Sequence, residues 1–289
     1  MPDLLPGAQG FPHTAILSDK VQRVLGLNPS AFTGPGTNTY LVGAGGAEPL
    51  LIDTGAGLPE YLELLRGHLA EQNVGQLRRI LLTHVHGDHI GGAADVLGLH
   101  PGIPVHKFPW PEKDSQYAVE LEQISDGDRF AGDGYTLQAV HTPGHAQDHI
   151  CYYLEEEQAL FSGDVILGVG TTVIPQDGGN LGHYLETLRR LQAMHIQRIY
   201  PGHGPVIENA VEKIEEYLNH RLEREQQIVD ELTGGAKTVE QMVRSIYREY
   251  PEHLYTAAGQ SVLSHLVKLE QENRAGRDDS QPPVFNLLS

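Results

Sequence analysis

The sequence predicts an α/β fold of layered sheets, followed by a helical C-terminal region. Three observations carry this reading. Short apolar runs recur through roughly the first two hundred positions, and each ends in small or polar turn residues. Apolar residues at helical spacing lie between some of them, as at Leu58, Leu62, Leu65 and Leu69. Beyond Gly204-Pro205 the pattern becomes mostly helical, broken at Gly234-Gly235 and Pro251.

In chain order, residues 1–20 read as a loose lead-in. Val21–Leu25 and Thr39–Val42 read as strands separated by the turn-rich Asn28-Pro29 and Gly34-Pro35-Gly36. Leu50–Ile52 is a short buried strand ending at Asp53-Thr54-Gly55, and Leu58–Ala70 is a helix. Ile80–Leu82 is another buried strand. Gly91–Leu97 reads as a short helix and Val105–Lys107 as a short strand. Strands at Thr136–Val140, Ile150–Leu154 and Ala159–Ser162 follow, then a helix at Leu185–Met194 and a last strand at Arg198–Tyr200. Alternating strands and helices imply layered sheets. The tail reads as helices at Ala210–Leu232, Val239–Tyr250 and Leu254–Leu269, with Arg274–Ser289 polar and frayed. The expected division is a catalytic domain over 1–205 and a helical domain over 206–289. Their net charges are −12 and −6, so the tail is no basic arm.

Composition narrows the function. The chain of 289 residues has a net charge of −18, which repels polyanions and disfavours broad nonspecific nucleic-acid binding. A bound metal would still create a local positive site. The single cysteine, Cys151, excludes an internal disulfide framework and a cysteine zinc finger. No apolar run approaches the ~18–20 residues that span a bilayer. Among the first twenty residues only Lys20 is a cation, against a secretory or Arg-rich transit signal. A cytoplasmic protein is expected, mitochondrial being the alternative for a eukaryotic chain.

The sixteen histidines carry the chemistry. The strand Ile80–Leu82 runs into Thr83-His84-Val85-His86-Gly87-Asp88-His89, three imidazoles and a carboxylate in six positions. In extended backbone His84 and His86 point the same way, and Gly87 permits a turn before Asp88 and His89. Two ligand pairs side by side suffice for two metals. Further ligand-type residues stand just after other strands: His145 in Thr142-Pro143-Gly144-His145, Asp164 in Ser162-Gly163-Asp164, and His203 in Pro201-Gly202-His203-Gly204. Loops at the end of a rigid sheet are where sites are usually built.

The pattern His84-x-His86-x-Asp88-His89, His145, Asp164, His203 resembles the metallo-β-lactamase superfamily. That likeness implies an αββα sandwich with a C-terminal winged-helix-like region and a site at the edge between two sheets. A narrower set is similar to the β-lactamase-like protein 2 family: Asn28-Pro29-Ser30, Gly36-Thr37-Asn38-Thr39-Tyr40, Leu51-Ile52-Asp53-Thr54-Gly55, Gly170-Thr171-Thr172 and Tyr200-Pro201-Gly202-His203-Gly204. Val85 departs from it, where the family often has Trp, which bears on the site wall alone. The resemblance implies two zinc ions per chain: His84, His86 and His145 on the first, Asp88, His89 and His203 on the second, Asp164 bridging. A nitrogen- and oxygen-rich set without thiolate suits zinc. Its animal members are described as endoribonucleases of single-stranded RNA, and fungal relatives as thioesterases.

The expected function is a binuclear zinc hydrolase, an endoribonuclease-like phosphodiesterase using a hydroxide between the metals, with Asp88 and His149 in catalytic roles. Asp53 is expected to hydrogen-bond a ligand loop and Asn38 to lie near the pocket. Trp110, with Phe108, reads as a substrate-contacting wall or as loop packing. Cys151 and the other histidines read as inert, surface or core residues. The alternatives are a carbonyl-directed hydrolase of thioesters or lactams, an iron-dependent persulfide dioxygenase, and a noncatalytic module with a structural metal. The substrate expected is single-stranded RNA or a small molecule, with neither a membrane nor a protein partner implied.

Overall fold

A computed structural model describes residues 10–43 and 48–288. The chain forms two compact units. The first takes in residues through Thr142 with Asp148–Thr171 and His195–Val211; the second takes in Pro143–Gln147, Thr172–Met194 and the chain from Glu212 onward.

The first unit holds two sheets. In one, β1 (Thr14–Ile16), β2 (Val21–Leu25), β3 (Asn38–Val42), β4 (Leu50–Ile52), β5 (Ile80–Leu81), β6 (Val105–Lys107) and β7 (Glu122–Gln123) follow one another in spatial order. The pairs from β1 to β4 are antiparallel and those from β4 to β7 parallel. β4, β5 and β6 are buried throughout; the unbroken apolar runs of β4 and β5 suit parallel strands covered on both faces. The other sheet has the order β12 (Arg198–Pro201), β11 (Ala159–Gly163), β10 (Ile150–Leu154), β9 (Tyr135–His141), β8 (Arg129–Gly132), antiparallel except between β11 and β12. One core lies between the sheets, drawing Tyr40, Ile52 and Leu81 from the first and Leu137, Tyr152 and Phe161 from the second. A second core packs α1 (Pro59–Glu71) and α3 (Ala93–Leu99) on the first sheet through Tyr61, Leu65 and Val96. Pro59 starts α1, where its missing N–H costs nothing. Between β5 and α3 the chain makes one helical turn, α2 (Gly87–Ile90), and α4 (Pro111–Asp114) follows β6.

The second unit contains α5 (Leu181–Gln192), most of α6 (Ala210–Thr233), α7 (Val239–Ile246), α8 (Tyr255–Gln271) and a three-stranded sheet in the order β13 (Lys237–Thr238), β15 (Val284–Leu287), β14 (Ala275–Arg277). Its core joins Ile228, Val243, Val262, Leu266 and Phe285. A capping box closes the start of α7: the Gln241 amide donates to the Thr238 hydroxyl, and the Thr238 amide to the Gln241 side chain.

Several sequence expectations change. Residues 1–9 of the expected lead-in lie outside the described residues, but Thr14–Ile16 pairs with β2 and adds an edge strand. α5 begins at Leu181 rather than Leu185, because the Asn180 side chain accepts the His183 amide and caps it there. α7 ends at Ile246, not Tyr250. The frayed tail is instead two strands, anchored by Phe285 in the core. Short β7 and β8 carry too little periodicity to be read. Among the described residues no helix is long and apolar enough to cross a membrane.

Candidate metal centre

The site of the first unit sits where β4, β5, β11 and β12 end. The chain leaves β5 at Thr83 and passes His84 and His86; α2 then carries Asp88 and His89 inward. β11 delivers Asp164 and β12 delivers His203. Six of the seven expected ligands therefore meet within this unit. His84, His89 and Asp164 each offer a donor atom, and these lie within 4.8 Å of one another; so do those of Asp88, His89 and His203.

The distances fit a metal polyhedron. His203 Nε2 stands 3.3 Å from Asp88 Oδ2 and 3.2 Å from Asp164 Oδ1. His89 Nε2 stands 3.5 Å from Asp88 Oδ2 and 3.4 Å from Asp164 Oδ1. Two donors ~2.0–2.1 Å from one tetrahedral zinc ion would lie ~3.3 Å apart, so these separations are compatible with the edges of such a shell. His84 Nε2 and His86 Nδ1 converge to 2.9 Å. His89 is wholly buried, and among the described residues its Nε2 has no hydrogen-bond partner. A buried nitrogen aimed between two carboxylates is costly unless an ion or proton fills the gap. The donor set and this orphaned atom fit a divalent metal.

Electrostatics agree. Burial alone would lower His89, but Asp88, Asp164 and Asp53 outweigh it and hold the imidazole well above its usual range. Burial likewise works against His203, and Asp164 with Asp88 raises it to about 9. Burial would raise both carboxyls; His89 and His203 outweigh it, so Asp88 and Asp164 stay far below the carboxylate range. Without a metal the four groups are an imidazolium–carboxylate quartet, and a divalent ion takes the place of the protons. His86, less compensated, is pushed down by burial.

A buried framework orients these ligands. At the end of β4 Asp53 adopts φ +58°, a turn that Asp tolerates. Its carboxylate accepts from the Thr83 amide at 2.8 Å and the Thr83 hydroxyl at 2.9 Å, and meets His89 Nδ1 at 2.7 Å. Thr83 Oγ1 lies 3.0 Å from His84 Nδ1, so one carboxylate governs ligands of both expected metals. The Asn38 side chain donates to the carbonyls of Pro201 and Gly204 at 2.9 and 2.8 Å, gripping the His203 turn rather than facing substrate. A side chain at Gly202 would place its Cβ 2.6 Å from Asp164 Oδ1, which is why glycine precedes His203.

His149 is a correction. Its ring is fully buried, with Nδ1 2.9 Å from Thr142 Oγ1 and Nε2 accepting the Asp164 amide at 3.0 Å. Both nitrogens are used inside the protein, so it positions Asp164 and is no proton donor to a leaving group. Trp110 is buried and starts α4, and Phe108 stacks on His141 with ring centroids 3.9 Å apart, which is loop packing. Cys151 is buried. His145 belongs to the second unit. There its Nδ1 lies 2.7 Å from the Val173 carbonyl, which fixes the tautomer with the lone pair on Nε2. The sequence reading missed Thr37, whose hydroxyl donates to Asp88 Oδ2 at 3.1 Å and whose amide is held by Asn28. It also missed Thr83 and Tyr40, whose hydroxyl donates to the Pro201 carbonyl at 2.6 Å. Their only signal is a polar side chain beside a buried strand.

Comparison with known proteins follows the same lines. Residues 32–203 match the metallo-beta-lactamase superfamily model, and residues 238–281 match a beta-lactamase-associated winged helix domain. A beta-lactamase-like protein 2 homolog of Caenorhabditis elegans is 42% identical over 259 residues, 88% of this chain and 85% of its own length. A solved metallo-beta-lactamase family protein of Thermus thermophilus superposes with a TM-score of 0.77 at 24% identity, over 94% of this chain and all of the other. A second solved structure, described as a di-iron-bound form, gives 0.52 at 27% identity, covering 61% of this chain and 92% of its own. The fold is thus the mixed α/β sandwich of these proteins with a C-terminal winged helix, and this chain, a metal-dependent hydrolase by its relatives, belongs to the metallo-β-lactamase superfamily.

Proposed function

We propose that the chain is a two-zinc hydrolase that cuts single-stranded RNA at a phosphodiester. The observation that supports the two-metal part is a pair of adjacent donor clusters: Asp88, His89, Asp164 and His203 at separations of 3.2–3.5 Å, and His84 Nε2 with His86 Nδ1 at 2.9 Å. In this reading His84, His86 and His145 hold one ion, Asp88, His89 and His203 the other, and Asp164 is shared. Bound zinc would supply an acidified water, with a pKa of about 7, and a Lewis acid for the scissile group. The chain's own residues do the rest. Asp53 and Thr83 keep the ring nitrogens of His84 and His89 aimed. Asp88 is the more solvent-accessible carboxylate, 28% exposed against 12% for Asp164, and would be the one placed to accept a proton from water at the site. Thr37 fixes Asp88 by its hydrogen bond. RNA as substrate rests on the sequence motifs that resemble the β-lactamase-like protein 2 family, among them Gly36-Thr37-Asn38-Thr39-Tyr40 and Tyr200-Pro201-Gly202-His203-Gly204.

A second reading, a hydrolase of thioesters or lactams, is favoured by the net charge of −18, which opposes a polyanionic substrate. Iron is the competing metal, because one matched structure is a di-iron form. Metal analysis of purified protein, joined to assays on a short labelled RNA, a thioester and a chromogenic lactam, separates these. RNA cleavage that disappears in His84→Ala and His86→Ala is expected. Thioester or lactam turnover without RNA cleavage would replace the nuclease reading, and one or two irons without zinc would replace the zinc assignment.

A further inference from the structure

Lysine is almost never wholly buried unless paired, yet the side chain of Lys107 at the end of β6 has no exposed surface. Its ammonium lies 2.6 Å from Asp114 Oδ1 and 2.6 Å from Asp148 Oδ2, and donates to the Phe108 carbonyl at 2.9 Å. Asp148 is itself wholly buried. A buried ion pair is a poor way to gain stability, since apolar residues of like volume do as well or better. What this pair does is fix a place. Asp148 directly precedes His149, whose Nε2 accepts the Asp164 amide at 3.0 Å. The fit around that ring is close: a Cβ on Gly163 would come within 2.5 Å of the same nitrogen. Thr142 holds the other side of the ring, and its amide donates to the His149 carbonyl at 2.9 Å. A shift of Asp148 therefore reaches Asp164 through one rigid imidazole.

We propose that Lys107 and Asp148 form a positioning clamp for the Asp164 carboxylate, acting through His149. The inference rests on the two-metal reading above and assigns neither residue to substrate. Asp114 and the Phe108 carbonyl complete the ammonium's shell, so Asp148 can be altered without stranding the cation.

The test is a cobalt(II) titration of the full-length, metal-stripped protein, followed by visible absorbance, which reports ligand geometry directly. Wild-type protein is expected to take two ions. Asp148→Asn keeps shape and packing; it should remain folded and bind at least one ion ~10-fold or more weakly, with an altered absorption band. A second variant guards against a folding effect: Lys107→Met with Asp148→Leu removes both charges and should recover thermal stability without recovering cobalt affinity. Parent affinity and an unchanged band in either folded variant would overturn the clamp. Wild-type protein that takes fewer than two ions would instead overturn the two-metal reading, and the clamp with it.

Discussion

Asp53→Asn should separate orientation of the ligands from their mere presence. The carboxylate uses one oxygen on the Thr83 amide and the other on His89 Nδ1, 2.8 and 2.7 Å away. Asparagine has the same shape but one acceptor. If its oxygen keeps Thr83, its NH2 faces His89 Nδ1 and must find a lone pair there. The ring then carries its proton on Nε2, the nitrogen that faces Asp88 and Asp164. The loss to the metal-free fold is about one hydrogen bond to a charged group, ~2 kcal/mol. The loss in metal affinity is ~10–100-fold, because the orienting partner of a ligand has been inverted. Calorimetric zinc titration and thermal melting in chelator measure the two quantities separately. A variant that binds metal with parent affinity would refute the orienting role, whatever its melting temperature.

Three further outcomes are expected. In the metal-free protein the His203 imidazole is raised from 6.5 to about 9, so its stabilising contribution is complete below about pH 6.5 and is lost as pH climbs through about 9. Melting in chelator should therefore fall across that window, by a few kcal/mol in stability, while zinc affinity rises; a metal-free melting temperature that is flat or rising there contradicts the quartet. Gly202→Ala puts a methyl 2.6 Å from Asp164 Oδ1 and should yield folded protein with reduced bound metal, measured by metal analysis. Thr238→Ala breaks the cap of α7 and should cost ~1 kcal/mol, seen as a lower denaturation midpoint, with metal content unchanged.

The strands that bury both faces are legible in the sequence because their apolar runs are uninterrupted, as in Leu50–Ile52 and Ile80–Leu81. The ligand loop is legible because three imidazoles and a carboxylate crowd into six positions. Other features depend on partners far away along the chain. Thr37 and Asp88 stand 51 residues apart, and Asn38 and Gly204 166 apart, so nothing local marks either pair. His149 misleads for the same reason: beside Asp148 it looks like an acid, until the Asp164 amide claims its nitrogen. The tail strands escape a sequence reading because their pairing, Arg277 with Phe285, is set by tertiary packing against a core that polarity alone does not suggest.

The placement of the ligand loops has a mechanical consequence. His84–His89 leave the first sheet, whereas Asp164 and His203 leave the second. Backbone hydrogen bonds stitch that edge at a few points, as from the Asn38 amide to the Gly202 carbonyl and from the Ile150 amide to the Thr83 carbonyl. An ion held by groups from both sheets adds a rivet through two plates. Chelation should let that rim breathe, with amide exchange quickening first at Gly163–Asp164 and Gly202–His203, while the middle of each plate stays shut.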